Sequence, residues 1–524
     1  MVKFLKKPMS VVAFRVLCFS LFFVYMFSRV LMPYDSDLPF LVATGRDIIQ
    51  NGISDKNAFI IDGDIHFVIQ QWLYTVILAF VDSLGPVGMS LFLALQLFLL
   101  GFLSWEIMKK YHIGKGIFLL AFFFICMFNG YFSNLRPQNI TLILLLAECL
   151  ALDRYRDTGK WQWLLLLPFT MILEMNLHMS MWIIHYAILL AYMVPGFYYK
   201  KLIKNDLISK WKLVGLFTLL MTACLFLNPY GFDGIMFSIN SMTSGMKKYV
   251  MISEHMPADI LSSSGAAIIL IAIILVVLLV NGRVSSVTLH LSLGFSFMTA
   301  LQLHNSMFLS ISLIFVICDI AQFIIDKNIV IDWRKDLCNY LYFMLIGGLI
   351  VTGIISLVTV DHVISLNYDY LMACEDDGLY AATAYLDANA SKDSHIYAGY
   401  SLGNYLEYRG YNKIFIDARP ESYTKKLNGS KDILNYYGTY GMWGLNLDDI
   451  SDIVVKADVD TWLDMYDFDY FLFAVDGRTE SPFLRGYIMQ ADDEYERVDY
   501  SEYMYDTDGM SQGILLVEVY RKIK

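Results

Sequence analysis

The stretch Pro33-Tyr34-Asp35-Ser36-Asp37-Leu38 opens a polar segment that runs to residue 84 and separates the first two long apolar runs of the chain. Residues 33–84 hold seven acidic side chains and two basic ones, whereas most other loops are short. The acidic positions are Asp35, Asp37, Asp47, Asp55, Asp62, Asp64 and Asp82. Their density immediately after an apolar run predicts an active-site loop on the non-cytoplasmic side of a membrane.

The composition outside this loop is that of a polytopic membrane protein. The 524 residues are 57% apolar and 15% aromatic, and the mean hydropathy is +0.51. A membrane-crossing helix needs about 20 apolar residues. The apolar runs predict about eleven transmembrane helices, near residues 11–32, 86–108, 115–131, 138–153, 162–176, 179–198, 212–228, 264–281, 286–302, 304–325 and 338–359. The shorter apolar run 68–83 is predicted to lie along the membrane interface.

The basic residues indicate the orientation, because Lys-rich and Arg-rich loops stay in the cytoplasm. With the N-terminus inside, the inner segments carry 18 Lys and Arg residues and the outer segments carry five. The sequence therefore predicts a multi-pass protein of the cytoplasmic membrane. An odd number of crossings places the C-terminal tail outside.

The tail differs from the rest of the chain in charge and in pattern. Residues 1–360 hold 25 Lys and Arg against 20 Asp and Glu, whereas residues 361–524 hold 14 against 30. This division predicts a transmembrane domain over 1–360, which includes the extracytoplasmic first loop 33–85, and an acidic extracytoplasmic domain over 361–524. So acidic a tail excludes nucleic acid as a partner. Alternating patterns predict a small α/β domain with helices at 377–389, 402–409 and 449–466 and strands at 395–398, 413–417, 470–475 and 514–520.

The two acidic residues at the start of the first loop have two interpretations. Ser36 or Asp37 can cap a helix over 38–50, which is a purely structural role. Alternatively, because the pair follows a membrane exit where a lipid head group lies, Asp37, with Asp35 second, can act as general base toward an acceptor hydroxyl. The position at the membrane edge favours the second interpretation.

The predicted topology gathers further polar residues on the same outer side. The candidate phosphate and substrate contacts are Arg136, Asn176, His178, Tyr230, Glu254, His304 and Asn305. Several have a structural alternative: Arg136 can snorkel to the interface, His178, His304 and Asn305 can be buried and satisfied, and Asn228-Pro229-Tyr230-Gly231 can simply end a helix. A divalent metal, Mg²⁺ or Mn²⁺, would need oxygen ligands, for which Asp35, Asp37 and Glu254 are candidates. The metal requirement stays open at this point.

Several short motifs, taken in order, resemble those of GT-C-fold membrane glycosyltransferases. They are Asp37-Leu38-Pro39-Phe40-Leu41-Val42-Ala43-Thr44-Gly45-Arg46, Gln71-Trp72-Leu73, Leu135-Arg136-Pro137-Gln138, Asn176-Leu177-His178, Asn228-Pro229-Tyr230-Gly231, His304-Asn305, Gly403-Asn404-Tyr405-Leu406 and Phe415-Ile416-Asp417-Ala418-Arg419-Pro420-Glu421-Ser422-Tyr423. Gln71 and Leu41 depart from the family pattern, which often has Glu and His at these positions.

The resemblance implies an inverting transfer of a sugar from a polyprenyl-phosphate-linked donor to a glycan, lipid or protein acceptor at the outer membrane face. It implies that Asp37 assists the acceptor, and that Arg136, supported by His178, stabilises the lipid phosphate. Asp417 and Arg419 of the tail are expected to face the membrane domain. Two other function classes remain: a transporter or flippase of lipid-linked glycans, and a non-catalytic envelope-assembly protein.

Overall fold

The computed structural model describes residues 29–128, 134–193, 211–242, 256–327, 367–374, 376–445, 454–475, 481–504 and 517–523, together with Ser20 and Phe27. Within the chain, contacts separate two compact units. The membrane unit comprises Met1–Pro33, Met89–Asn228 and Ser253–Ser365. The loop–tail unit comprises Tyr34–Gly88, Pro229–Ile252 and Leu366–Lys524.

The first loop folds into two helices, α1 (Leu38–Asn51) and α2 (Trp72–Asp82). Helix α1 matches the helix predicted for residues 38–50, and α2 occupies most of the run 68–83. Gly45 lets the two helices approach closely, because a Cβ at this position would lie 1.9 Å from the carbonyl oxygen of Thr75. Glycine is therefore required where the helices touch.

Helices of the membrane unit follow the predicted apolar spans. They are α3 (Gly85–Met108), α4 (Lys115–Phe128), α5 (Gln138–Thr158), α6 (Leu166–Leu177), α7 (Trp182–Met193), α8 (Trp211–Cys224) and, after α9 (Phe232–Ser241) of the loop–tail unit, α10 (Ser263–Val280), α11 (Ser286–Leu301) and α12 (Leu309–Asp326). Nine of the eleven predicted spans thus coincide with helices. The spans at 11–32 and 338–359 lie almost wholly outside the described residues.

Three stretches of the described residues are long and apolar enough to cross a membrane: Gly85–Tyr111, Ser263–Val280 and Leu303–Asp326. Helix α10 has no charged residue and exposes Ile273, Val276 and Val280. Such apolar surface has no favourable contact with water and fits a lipid environment. The chain is therefore a helical membrane protein with several apolar helices.

The described tail contains four helices of at least nine residues and one mixed sheet. The helices are α13 (Asp377–Asn389), α14 (Tyr400–Tyr408), α15 (Lys456–Tyr466) and α16 (Pro482–Gln490), and the strands are β1 (Ile396–Ala398), β2 (Tyr470–Ala474), β3 (Tyr495–Arg497) and β4 (Val517–Lys522). The strand order is β1-β2-β4-β3, with β1 parallel to β2 and both other pairs antiparallel. The small α/β domain predicted for the tail is present.

The strand predicted for residues 413–417 is reduced to a single bridging residue, Ile414. It pairs in parallel with Ile396 of β1 on one side and with Ile60 of the first loop on the other. The chain turns soon afterwards, because the Asp417 side chain accepts the backbone N–H of Arg419. The sheet of the tail is thereby continued by a residue of the first loop.

Apolar packing joins the first loop to the tail as well. The main core of the loop–tail unit is built on Tyr397, Phe415 and Trp462, and it includes Ile60 and Ile65 of the first loop. The division of the sequence at residue 360 groups the first loop with the membrane helices, whereas the structure builds the first loop and tail around one core. Ile60 and Ile65 lie more than 300 residues before the tail residues of this core in the sequence. No local sequence pattern therefore predicts that they pack together.

Candidate functional site

The acidic turn before α1 is held by Asp35. Its Oδ1 accepts the backbone N–H groups of Asp37 at 3.0 Å and of Leu38 at 3.1 Å. Asp37 stands at the N-cap position without a side-chain capping bond. The sequence predicted that Ser36 or Asp37 would cap this helix; the side chain that does so is Asp35. Of the two candidate aspartates, Asp35 uses its carboxylate to cap the helix, whereas the Asp37 side chain makes no capping bond.

A buried asparagine of α14 fixes this turn to the tail. Asn404 donates from Nδ2 to the carbonyl oxygen of Ser36 at 2.6 Å, and its Oδ1 accepts the N–H of Ala418 at 3.0 Å. Gly403 beside it allows close packing, since a Cβ there would lie 2.3 Å from the carbonyl oxygen of Ile416. Asn404 therefore determines where the residue between the two aspartates lies.

Arg419 lies at the centre of a buried ion cluster in the loop–tail unit. Its Nε donates to Asp417 Oδ1 at 2.9 Å, one terminal nitrogen donates to Glu407 Oε1 at 2.6 Å, and the other donates to Thr44 Oγ1 at 3.1 Å. The rings of Phe40 and Phe67 each lie 5.1 Å from the guanidinium carbon. We call Asp417, Arg419, Glu407 and Thr44 the Arg419 cluster.

Charge balance in the Arg419 cluster explains the pKa shifts of its members. Burial opposes the charge on Arg419, but Asp417 and Glu407 together raise its pKa well above the ordinary value. Burial alone would also raise the pKa of Asp417, yet Arg419 and several hydrogen bonds hold it below the ordinary value. Burial, with the nearby Asp417 charge, raises the pKa of Glu407 well above its ordinary range. The cluster thus holds a fixed cation between one ionised carboxylate and one that favours its proton.

These contacts bear on one expectation about the tail. Asp417 and Arg419 were expected to face the membrane domain, which was predicted to include the first loop; Asp417 is fully buried, Arg419 is 7% exposed, and Arg419 contacts Thr44 of that loop. Their polar atoms are committed to each other, to Glu407 and to Thr44. Two such charges cannot remain buried without partners. Their role in the structure is to join the tail to α1.

A small cleft beside the Arg419 cluster is lined by polar and aromatic side chains. Its lining includes Phe40, Phe67, Gln70, Gln71 and Glu421, and it offers about 20 Å³, which is room for about one water molecule. Glu421 Oε1 accepts from Gln70 Nε2 at 2.9 Å, and burial raises the pKa of Glu421. Carboxylate, amide and aromatic groups together are suited to a ligand that carries hydroxyl groups. Gln71, one of the departures from the family pattern, lines this cleft.

Tyr230 has a structural use in the same unit. Its hydroxyl donates to the carbonyl oxygen of Ser54 at 3.1 Å and accepts the N–H of Ile69 at 3.2 Å. Burial raises its pKa to about 12. Gly231 next to it has φ +54° and precedes α9, so the helix-starting turn needs glycine there. Tyr230 therefore links two segments of the first loop.

In the membrane unit, the two candidate asparagines are occupied by backbone contacts. Asn176 donates from Nδ2 to the carbonyl oxygens of Ile172 at 2.7 Å and Leu227 at 2.8 Å. Asn305 donates to the carbonyl oxygen of Met298 at 3.2 Å. These bonds close helix ends, which is a structural role for both amide groups.

His178 is a buried histidine with a side-chain partner. Its Nδ1 lies 2.7 Å from the hydroxyl of Thr141, and it is 5% exposed. Arg136 and His304 are both partly exposed, Arg136 directly before Pro137 at the start of α5 and His304 in a short 3₁₀ helix. Helix α5 begins directly after Pro137, at the start of the span predicted for 138–153. For His178, the structure gives the satisfied, buried alternative at one of its ring nitrogens.

The structure thus distributes the candidate residues over the two units. The loop–tail unit contains Asp35, Asp37, Tyr230, Asp417 and Arg419, and the membrane unit contains Arg136, Asn176, His178, His304 and Asn305. Glu254 lies outside the described residues.

The side chains that the structure describes bear on the expected divalent metal. In the described part of the chain, no group of three or more His, Cys, Asp and Glu residues is arranged to hold a metal ion. Asp35 Oδ1 is already used by two backbone N–H groups. Glu254, the third candidate ligand, lies outside the described residues, and a divalent metal stays a prediction.

Three residues of this site escaped sequence reasoning: Asn404, Glu407 and Glu421. Two of them lie inside the motifs that carry the family resemblance, Asn404 in Gly403-Asn404 and Glu421 in Arg419-Pro420-Glu421. Glu407 follows Asn404 by three residues, which places both on one face of a helix. That spacing was the signal for a polar face on α14.

Comparisons with known proteins give a similar fold but no match at the level of sequence. No protein-family model matches the sequence, and no curated protein matches it. Among solved structures, the chain resembles the oligosaccharyltransferase of Archaeoglobus fulgidus, which was crystallised with a tethered acceptor peptide containing the NVT sequon. The TM-score is 0.52 at 9% identity, over 87% of this chain and 68% of the archaeal one. The fold is therefore similar to that of a GT-C membrane glycosyltransferase.

Proposed function

We propose that this protein is a GT-C-type glycosyltransferase that moves a sugar from a polyprenyl-phosphate-linked donor to a glycan, lipid or protein acceptor at the outer face of the membrane. The proposal rests on one observation above the others. In a fold like that of an oligosaccharyltransferase, the acidic turn before α1 is fixed by Asn404, and its Asp37 carboxylate is not used as a helix cap.

In the proposed reaction, Asp37 takes the proton of the acceptor hydroxyl as the hydroxyl oxygen attacks the anomeric carbon. The bond from that carbon to the phosphate breaks, polyprenyl phosphate leaves, and the product has inverted configuration. Arg136, with a planar fork of donors, is suited to the departing phosphate. Asp35 fixes the turn that carries Asp37, and it is thus a positioning residue.

The small cleft beside the Arg419 cluster, which Glu421 lines, supports a sugar or another hydroxylated acceptor as the ligand of the loop–tail unit. Glu421 and Gln71 supply acceptor and donor atoms, and Phe40 and Phe67 supply apolar surface. Its volume limits it to about one hydroxyl group of a larger molecule. The cleft is proposed as a subsite, and Glu421 as the group that accepts from a substrate hydroxyl.

The test compares two variants of one helix. Asp37→Asn keeps the shape of the side chain and removes the base, so sugar transfer should fall by about 100-fold or more. Asp47→Asn, further along α1 at an exposed contact with Asn51, should leave transfer unchanged. The measurement is release of polyprenyl phosphate from synthetic polyprenyl-phosphate glucose and polyprenyl-phosphate mannose, with short oligosaccharides as acceptors. Full activity of a folded Asp37→Asn protein would remove Asp37 from the mechanism.

A further inference from the structure

Five polar side chains that take no part in the transfer proposed above lie close together inside the membrane unit. They lie on three packed helices: Thr141 and Glu148 on α5, Glu174 on α6 with His178 just after it, and His185 on α7. Thr141, Glu148, Glu174 and His185 are fully buried, and His178 is 5% exposed. Ionisable groups inside a membrane protein are costly and need an explanation.

Hydrogen bonds join these side chains in two groups, one at each end of the series. His178 Nδ1 lies 2.7 Å from Thr141 Oγ1, which donates to Glu174 Oε1 at 2.7 Å. Because the threonine hydroxyl has one proton and gives it to Glu174, His178 must donate from Nδ1. At the other end, His185 Nδ1 lies 2.6 Å from Glu148 Oε2.

The link between Glu174 and His185 is incomplete. Glu174 Oε2 and His185 Nε2 lie 3.4 Å apart, which is within ion-pair range but longer than a good N–H···O hydrogen bond. Both atoms are buried, and neither has a hydrogen-bond partner among the described residues. Glu148 Oε1 is in the same situation. Buried polar atoms of this kind need a physical explanation.

The charges of Glu148, Glu174 and His185 supply an explanation, which is an additional bound proton. In the described part of the chain, no Lys or Arg side chain pairs with Glu148 or Glu174. With both carboxylates ionised and His185 protonated, the three groups carry a net charge of −1, which is unfavourable in a buried membrane site. One more proton makes the group neutral and gives an unmet carboxylate oxygen a hydrogen to donate.

Other titratable groups on the packed helices are engaged elsewhere. Tyr186 shares a hydrogen bond with Thr222, Tyr192 donates to the carbonyl oxygen of Cys149, and His290 of α11 contacts the carbonyl oxygen of Ser286. Arg156, at the other end of α5, pairs with Asp153 and Asp157. Arg154 of α5 pairs with Glu106, and the remaining groups on these helices are Cys149, Tyr155, Lys212 and Cys224.

We propose that Glu148, Glu174 and His185 form a buried proton-binding site of the membrane unit, reached from the end of α6 through His178 and Thr141. His178 takes a proton from water at Nε2 and releases its Nδ1 proton to Thr141, which passes its own hydroxyl proton to Glu174. Only N–H and O–H bonds form and break, and the Glu174 carboxylate becomes a neutral acid. Along α5 the route and the site together extend about 10 Å, from Thr141 to Glu148.

Infrared spectroscopy of the purified full-length protein in lipid nanodiscs tests the site directly. A protonated carboxyl group has its own carbonyl stretching band. Wild type should show such intensity at neutral pH that is missing in Glu148→Gln or Glu174→Gln. If neither variant loses carboxylic-acid intensity, the cluster holds no extra proton and the proposal is overturned.

The route is tested by hydrogen–deuterium exchange of the same band. Thr141→Val keeps the shape and removes the hydroxyl, so the shift of the band in D₂O should slow at least about tenfold, the rate equivalent of one lost hydrogen bond. Thr170→Val is the matched control, since Thr170 on α6 is as buried but bonds only to the carbonyl oxygen of Leu167. Equal exchange rates in Thr141→Val and wild type would overturn the route.

A wild-type measurement keeps the proposal testable if the variants do not fold. The carboxylic-acid band of wild type should shift in D₂O much faster than the most protected backbone amide groups exchange, because the site has its own route to water. Exchange of that band only together with the most protected amides would mean that the protons are structural, which contradicts the proposal.

Discussion

Two buried ion clusters, one in each unit, balance the charge of buried carboxylates in different ways. The Arg419 cluster has a guanidinium among Asp417, Glu407 and Thr44. The membrane unit instead places His185 between two carboxylates. Arginine keeps its charge at every physiological pH, whereas histidine and its partners can exchange protons. The first arrangement is suited to holding parts together, and the second is suited to binding a proton.

Removing the arginine should have the largest effect. Arg419→Met leaves Asp417 and Glu407 buried without their cation, so the loop–tail unit should lose about 3–5 kcal/mol of unfolding free energy. Arg521→Met is the control, because Arg521 and its partner Glu496 are both about half exposed, and it should cost no more than about 1 kcal/mol. Thermal unfolding of the purified protein measures both. Similar losses in the two variants would mean that burial does not make the Arg419 cluster special.

Loss of Asn404 tests whether the loop–tail unit positions the acidic turn. Asn404→Leu leaves the Ser36 carbonyl oxygen and the Ala418 N–H without their partner, at a cost of about 1–3 kcal/mol. If Asn404 positions Asp37, kcat for sugar transfer should fall more than KM rises. The exposed Asn389→Leu, whose side chain bonds only within its own helix, serves as control. An unchanged kcat in a destabilised Asn404→Leu protein would limit Asn404 to stability.

Removing the histidine of the membrane cluster should cost less than removing Arg419. In His185→Gln, Glu148 and Glu174 can each take up a proton and remain neutral, so the loss should be about 1–3 kcal/mol, the cost of unmet buried hydrogen bonds. The same thermal unfolding assay applies. A loss equal to that of Arg419→Met would show that His185 acts as a fixed cation, and the contrast between the two clusters would fail.

The smallest effect is a pH dependence within the Arg419 cluster. The pKa of Glu407 is raised in the folded protein, so its contribution to stability is complete below the ordinary glutamate value of 4.5 and is lost as the pH rises through the folded-state pKa. Asp417 has a lowered pKa and loses its contribution as the pH falls below 3.8. Glu407→Gln, which keeps an acceptor for Arg419, should flatten the alkaline side of the stability profile only. An unchanged profile in this variant would assign that slope to another group.

The sequence predicted the elements whose signals are local. Residues 377–389 form the predicted helix with the same bounds, because Asp376 caps it by accepting the N–H of Leu379. The apolar spans could be predicted for the same reason, because each of these helices has its own run of apolar residues. The sequence assigned the cap of α1 to Ser36 or Asp37, whereas Asp35 provides it, because an aspartate can accept from backbone N–H groups two and three positions later.

The parts that the sequence did not reveal are long-range. Thr44 and Arg419 lie 375 residues apart, and no local pattern marks a threonine on α1 as the partner of a tail arginine. The pairing of Ile60 with Ile414 is of the same kind. In the membrane unit, Glu148 and His185 were passed over because single polar residues within apolar helices do not reveal which residue faces them.

The most direct test of the central claim uses the wild-type protein. Purified protein in nanodiscs should be given synthetic polyprenyl-phosphate glucose or polyprenyl-phosphate mannose with an oligosaccharide acceptor, and the product should be analysed by NMR. The account predicts release of polyprenyl phosphate and a glycoside of inverted anomeric configuration. A product of retained configuration, or donors that stay intact with every acceptor, would contradict it.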